Sequence, residues 1–349
     1  MERSNLIRKH IFSSPYPPDA VLITHPNNIR YATGFTGSSA FVLLTPVRKY
    51  FFTDHRYETQ SRSQVAGDYN FVFYQARVIR EISKIIKRNR IRQLGMELEQ
   101  VSFSFVNNLR KEACVRVLDI SFEIMKMRSL KSRDEVLLLK KALRIAENAY
   151  SRIRSLVKPG VREDRIALEL ECRMREMGAE DKSFPTIVAS GRNSAMPHAA
   201  VSRKNIKGNE LVILDFGARY NGYHSDITQT LKISNKNKLL EKAYQTVREC
   251  VDMAREYIRP GCSTREAARQ ADAHIRKSGF QDGLIHSLGH GLGLDIHERP
   301  NISLNKDDEF REGMVFTIEP GIYLPGIGGV RIEKTACLSG KDLVLWNRI

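Results

Sequence analysis

Apolar positions in the first third of the chain follow two rhythms. Phe41-Val42-Leu43-Leu44 and Tyr50-Phe51-Phe52-Thr53 are short, dense apolar runs separated by Pro46 and basic residues, the pattern of buried strands. Downstream, Val78, Ile79, Ile82, Ile85 and Ile86 recur at helical spacing among Arg77, Arg80, Lys84, Lys87, Arg88, Arg90 and Arg92, which predicts a core-facing helix with a solvated basic face. A short apolar stretch around Leu94, Met96 and Leu98 follows, then a helix over about Phe103 to Lys111 and a strand near Val115 to Ile120. Strands alternating with helices over roughly the first 125 residues predict a small α/β domain.

Ser132-Arg133-Asp134-Glu135 has the form of a capping box, in which the serine hydroxyl accepts from the third helical amide and the glutamate reaches back to the serine amide. The helix it opens is expected to run to about Val157 and to stop ahead of Pro159-Gly160. The boundary between domains therefore falls near Lys126 to Lys131, giving an N-terminal domain over 1–128 and a second domain over 129–349. Within the second, Lys158-Pro159-Gly160 is followed 18 residues past its glycine by Gly178, and Arg259-Pro260-Gly261 is followed at the same spacing by Gly279. A helix-like stretch leads into each (Ser132 to Val157, Asn237 to Ile258), and each unit continues into β-rich sequence carrying acidic residues. Two such units predict a pseudo-two-fold domain with a site between its halves.

The chemistry concentrates in those β-rich stretches. In Leu211 to Leu231, Asn221-Gly222 is a hairpin signal that would set Asp215 and Asp226 on adjacent strands. Met314 to Gly321, with Glu319, runs through a Pro/Gly-rich loop to Gly329-Val330-Arg331-Ile332-Glu333 and repeats the theme. A carboxylate in an apolar setting is costly without a partner, so this set demands cations. Between the two stretches, His286, His290 and His297 lie within 12 residues among Gly289, Gly291 and Gly293, and an upstream loop adds His198.

Composition narrows the class. With 42% hydrophobic and 28% charged residues the chain can bury ordinary cores, which excludes a disulfide mini-protein, a collagen-like fibre and a disordered chain. No apolar run approaches the ~20 residues of a membrane helix, and Met1-Glu2-Arg3-Ser4-Asn5 lacks the layout of a secretory signal. Five cysteines without a C-x-x-C pair fit free thiols in a reducing cytoplasm. Lys+Arg 56 against Asp+Glu 40 gives a net charge of +16, which raises the question of a nucleic-acid partner. No zinc-finger spacing, basic-zipper heptad or aromatic RNA-binding signature accompanies the charge, so neither nucleic acid nor membrane is an expected partner.

Taken as ordered blocks, these residues resemble the metal-dependent peptidases of the creatinase or "pita-bread" fold, nearest to aminopeptidase P and prolidase. Asn28-Ile29-Arg30-Tyr31 through Gly34-Phe35-Thr36-Gly37, with Phe52-Thr53-Asp54-His55-Arg56-Tyr57, are similar to that family's N-terminal domain. Phe184 to Gly191, Pro197-His198, Asp215-Phe216-Gly217, Ser225-Asp226, Gly289-His290-Gly291, Ile318-Glu319-Pro320-Gly321 and Arg331-Ile332-Glu333 are similar to its catalytic domain. The resemblance covers almost the whole chain. It implies an α/β (α+β) fold, with a small creatinase-like α/β domain followed by a pseudo-two-fold catalytic domain.

The resemblance also implies roles. Asp215, Asp226, His290, Glu319 and Glu333 would be the ligands of a dinuclear metal centre, with Asp226 and Glu333 bridging. Oxygen donors with one imidazole favour Mn²⁺, Co²⁺ or Fe²⁺ and admit Zn²⁺. Two such ions would activate water near neutral pH and polarise the scissile carbonyl. His198 and His297 would stabilise the tetrahedral intermediate and handle protons, and Glu319 would also relay one to the leaving nitrogen. His286, Arg331 and Tyr323 would line the substrate site. The implied activity is removal of the residue preceding proline from a peptide (Xaa-Pro aminopeptidase), or cleavage of Xaa-Pro dipeptides (prolidase), by a cytoplasmic homodimer using Mn²⁺. A non-catalytic binding module on the same fold is the rival of a different class; such modules have typically lost ligands that this chain keeps. Asp215-Phe216-Gly217 is not a kinase site, because no Gly-rich phosphate loop or kinase catalytic loop precedes it.

Overall fold

The structure, a computed structural model, describes residues 3–234 and 237–347. The chain divides into two compact units, Met1–Arg128 and Ser129–Ile349.

The first unit contains α1 (Arg3–Phe12), β1 (Ala20–Ile23), α2 (Pro26–Thr33), β2 (Ala40–Leu44), β3 (Lys49–Asp54), α3 (Glu58–Gln64), β4 (Asn70–Tyr74), α4 (Val78–Arg88), β5 (Gln93–Met96), α5 (Phe103–Ala113), β6 (Arg116–Asp119) and α6 (Ser121–Ser129). The strands form a six-stranded sheet in the order β4-β3-β2-β1-β5-β6, parallel except where β2 pairs with β1 and β3. Ile82 and Ile86 of α4 and Leu109 of α5 bury against Leu22, Leu43, Phe52 and Leu94 of the sheet. That burial leaves every arginine and lysine of the basic stretch exposed, as expected of an amphipathic helix. Glu97, just past β5, is itself buried; it accepts from the Thr24 amide (2.9 Å) and from Asn28 Nδ2 (3.2 Å), while Asn28 Oδ1 accepts from Arg128 (2.6 Å).

The second unit opens with α7 (Arg133–Ile153), whose first turn carries the expected reciprocal capping box of Ser132 and Glu135. The helix ends at Ile153, short of the predicted Val157, because residues Arg154–Leu156 tighten into a 3-10 turn. Then come α8 (Glu163–Glu176), β7 (Asp181–Lys182), β8 (Ile187–Ser190), β9 (Glu210–Phe216), β10 (Ala218–Tyr220), β11 (Tyr223–His224) and β12 (Ile227–Ile233). The second half comprises α9 (Lys238–Tyr257), α10 (Thr264–Lys277), β13 (Gly289–Gly291), β14 (Glu298–Ile302), β15 (Val315–Ile318), β16 (Gly321–Leu324), β17 (Gly328–Arg331), β18 (Lys334–Ser339) and β19 (Asp342–Leu345).

The repeat is built into the backbone. In each half a helix pair packs on an antiparallel ladder: α7 and α8 with β8, β9 and β12, and α9 and α10 with β15 and β18. Each ladder is interrupted by a small ribbon, β10–β11 between β9 and β12 and β16–β17 between β15 and β18. The amide of Gly160 donates to Ile206 O and that of Gly261 to Phe310 O, and isolated bridges join Arg162 to Asn205 and Ser263 to Glu309. Gly178 and Gly279 both end a helix at positive φ (98° and 90°), a conformation that favours glycine.

Candidate metal centre and active site

The interrupted ladders explain how the carboxylates meet. Asp215 is near the end of β9 and Asp226 immediately precedes β12, with Thr228 paired to Asp215; Glu319 directly follows β15 and Glu333 directly precedes β18. One carboxylate thus stands on either side of each ribbon. The Asn221-Gly222 turn (φ 45° and 72°) closes the β10–β11 ribbon, which continues the β9–β12 pairing in the same register (Phe216 opposite Ile227, Arg219 opposite His224), so this one hairpin brings Asp215 and Asp226 to neighbouring positions on its two arms. The two halves join edge to edge where the Glu333 amide donates to Thr228 O at 3.1 Å, and that seam brings the four acids together. Within the first half, Gly217 lets the chain segments beside Asp215 and Asp226 approach closely: a Cβ there would lie 1.9 Å from Ser225 O.

Ligand-capable oxygens of Asp215, Asp226 and Glu333 lie within 4.8 Å of one another. His290 Nε2 is 3.2 Å from Glu319 Oε1 and 3.6 Å from Asp226 Oδ2. The Nδ1 of His290 faces Gly291 O at 3.1 Å; a carbonyl only accepts, so Nδ1 carries the proton and Nε2 points at the acids. That nitrogen, flanked by two carboxylates, takes either a proton or a cation. Asp215 Oδ1 and Glu333 Oε1 are buried with no hydrogen-bond partner among the described residues. Burial, together with repulsion from the other acids, pushes the carboxyls of Asp226 and Glu333 well above their ordinary range; burial also raises Asp215, against the pull of Arg331. Glu319 is likewise buried, but its hydrogen bond to His290 prevails and holds it down at about 2. Unsatisfied oxygens, mutual repulsion and an imidazole aimed inward are the signature of a site that fits divalent cations.

Arg331 ties the site to its surroundings. Its Nη2 donates to Asp215 Oδ2 (2.5 Å), Nη1 to Tyr323 Oη (2.6 Å) and Pro197 O (3.1 Å), and Nε to Thr228 Oγ1 (3.1 Å). Thr228 Oγ1 in turn donates to Glu333 Oε2 at 2.9 Å. Tyr323 Oη, already accepting from Arg331, meets His286 Nε2 at 3.0 Å, and the Nδ1 of His286 donates to Ser287 O at 2.8 Å. Burial lowers the proton affinity of His286, so it is a neutral ring with Nε2 as acceptor. It also lowers that of His297, with a further push from His290. His198 and His297 are the exposed members of the histidine set, and His198 is near enough to oppose protonation of both His286 and His297.

Four supporting residues were not singled out from the sequence. Thr228 bridges Arg331 and Glu333; Thr317 Oγ1 accepts from the His290 amide (3.0 Å) and donates to Glu319 Oε1 (3.1 Å). Lys131 Nζ meets Glu298 Oε2 at 3.0 Å with both side chains buried, and Glu298 Oε1 accepts from the Asp295 amide at 3.0 Å, bracing the loop that carries His297. The available signals were a polar residue inside an apolar strand, as at Thr228 and Thr317, and an acid directly after a candidate histidine, as at Glu298.

The chain belongs to metallopeptidase family M24, which it matches over residues 138–339, and the buried acids with their inward-facing histidine fit the metal dependence of that class. Residues 18–130 match the Creatinase/Prolidase N-terminal domain. The chain is similar to a Xaa-Pro dipeptidase of Pyrococcus furiosus, 35% identical over 324 residues that cover 92% of this chain and 91% of that protein. Among solved structures it is similar to a Xaa-Pro dipeptidase from Bacillus anthracis (TM-score 0.94, 36% identity, 100% of this chain and 98% of that one). A second is an X-Pro aminopeptidase from Thermotoga maritima MSB8 (TM-score 0.86, 32% identity, 95% and 96%). No helix among the described residues is long and apolar enough to cross a membrane.

Proposed function

We propose that the chain is a dinuclear-metal-dependent Xaa-Pro peptidase that cleaves the bond between an N-terminal residue and proline. The observation that carries this reading is the buried acid cluster with its two partnerless oxygens, in a chain whose similar full-length relatives are named for Xaa-Pro cleavage. Asp215, Asp226, His290, Glu319 and Glu333 would hold two divalent ions, Mn²⁺ first among the candidates. When bound, the ions supply Lewis acidity that lowers the pKa of water and polarises the scissile carbonyl.

The protein's own groups do the rest. Arg331 holds Asp215 and, through Thr228, Glu333 in fixed orientation. His198 and His297, on the open side, would meet the oxygen that gains charge at the attacked carbon. Glu319, held ionised, would accept the proton that the attacking water gives up and then deliver it to the departing proline nitrogen. His286 and Tyr323 would border the substrate. Aminopeptidase action on longer peptides is the main reading; dipeptidase action is the second, favoured by the names of two of the relatives above. The five cysteines are all free thiols, which supports a cytoplasmic setting, and a homodimer is proposed from the family resemblance. The deciding experiment offers the Mn²⁺-loaded protein Xaa-Pro dipeptides and longer Xaa-Pro peptides side by side. Cleavage of neither rejects the reading, and cleavage of dipeptides alone selects prolidase.

A further inference from the structure

We infer that Glu163 is a positioning residue for His198, a role that rests on the Xaa-Pro peptidase reading above. His198 sits on the segment 191–202, and its imidazole has no hydrogen-bond partner among the described residues, so its placement depends on how that loop is held. Glu163, at the start of α8, is fully buried. Its Oε1 accepts from the amide and the hydroxyl of Ser190, both at 2.7 Å, and its Oε2 from Asn193 Nδ2 at 3.1 Å and Ser202 Oγ at 2.6 Å. One carboxylate therefore fastens both ends of the loop. Its middle is held from the far side, where the Gly329 amide donates to Ser194 Oγ (2.8 Å) and Arg331 Nη1 to Pro197 O (3.1 Å). The residue after Pro197 is His198.

The internal repeat supplies a control. Glu163 stands three residues after Gly160, and the matching position after Gly261 is Thr264. Both backbones make the same bond, Glu163 N to Lys204 O (3.0 Å) and Thr264 N to Asp308 O (2.9 Å). Thr264 is as buried as Glu163, yet its side chain accepts one bond, from the Asp308 amide (2.9 Å). A small hydroxyl thus meets the needs of the fold at this place. The donors that Glu163 gathers lie in the histidine loop, at Asn193 and Ser202, and at Ser190, the last residue of β8, which leads into it. Charge-assisted bonds to several donors at once give the loop a stiffness that neutral pairs would not, and removing the charge should let His198 wander by fractions of an ångström to an ångström.

The test is a double-mutant cycle on the Mn²⁺-loaded protein with an Xaa-Pro peptide, using Glu163→Gln, the milder Ser202→Ala, and each combined with His198→Ala. Glu163→Gln is expected to lower kcat by roughly 10- to 100-fold with little change in KM, the scale of a misplaced catalytic group. In the His198→Ala background the same change should cost less than about threefold, because coupled effects do not multiply. Trypsin should cut after Arg192 or Arg203 faster in Glu163→Gln and Ser202→Ala than in the parent, whatever the activity. Equal losses with and without His198 would make Glu163 a merely structural residue and overturn the inference. So would unchanged kcat and proteolysis in both variants. A wild-type protein that cleaves no Xaa-Pro peptide would reject the function reading instead, and the trypsin comparison would still decide whether Glu163 holds the loop.

Discussion

The rings of His290 and His297 meet edge to face with their centroids 4.3 Å apart, although one is buried among acids and the other is exposed. Their proximity does not make them equivalent. His290 points Nε2 at Asp226 and Glu319, whereas His297 contributes to the open side. His290→Ala is therefore expected to lose bound metal along with activity, as is Asp226→Asn. His297→Ala and His198→Ala should keep their metal and lose roughly 10²- to 10⁴-fold in kcat. Elemental analysis beside steady-state kinetics separates the two behaviours; full occupancy in His290→Ala would contradict the ligand set.

Arg331 is a second place where one substitution should have a graded outcome. Arg331→Met leaves Asp215 buried with its cationic partner gone, and breaking such a pair on one side costs about 3–5 kcal/mol. Arg331→Lys keeps a charge but cannot span Asp215, Tyr323 and Thr228 together. Urea unfolding of the metal-free proteins should rank wild type above Arg331→Lys above Arg331→Met. Addition of Mn²⁺ should narrow the differences by supplying Asp215 with another cation.

The Lys131–Glu298 pair predicts an asymmetry. Lys131→Met strands a buried carboxylate and should destabilise the protein by about 3–5 kcal/mol. Lys131→Met combined with Glu298→Leu should recover part of that loss and no more, because the Asp295 amide then lacks its acceptor. Glu298→Leu alone completes the cycle in urea, and losses in the two single variants that simply add in the double variant would show that the pair is not coupled.

Glu97 sets a pH dependence in the first unit. Burial raises its carboxyl above the usual value, against the hydrogen bonds from Thr24 and Asn28. A raised native pKa favours the protonated form, so the stability it contributes is fully present below the unfolded value and is lost as pH rises through the folded one. Amide exchange in the peptides spanning β1 and β5 should thus quicken, beyond the intrinsic rate, as pH rises from the unfolded value through the folded one. Glu97→Gln should flatten that trend.

How far the sequence reaches differs with the range of the interaction. Local signals were readable: the Ser132–Glu135 cap, the amphipathic basic helix and the two glycine-marked units all depend on residues near one another in the chain. The identities of Asp215, Asp226, His290, Glu319 and Glu333 came from a family resemblance, and the structure gathers them. The breaks that divide each carboxylate hairpin into ladder and ribbon were not readable, because an Asn-Gly turn marks where a hairpin reverses and not where its ladder is interrupted. Glu163 was hidden for a different reason. It opens a helix, where an acid is already favoured by the helix dipole, and its loop partners lie 27 to 39 residues away.

The bracing around Lys131 has a practical side. The two family matches end at residue 130 and begin at residue 138, so the stretch between them belongs to neither. That unclaimed stretch holds Lys131, buried against Glu298, and Ser132 and Glu135, which cap α7; Glu135 Oε1 also accepts from Tyr223 Oη at 3.1 Å. A truncated enzyme trimmed to the catalytic family's own limits would begin inside the helix, uncapped, with Glu298 stripped of its lysine a residue away from His297. The cut that respects the chemistry lies before residue 129, where the compact unit itself begins.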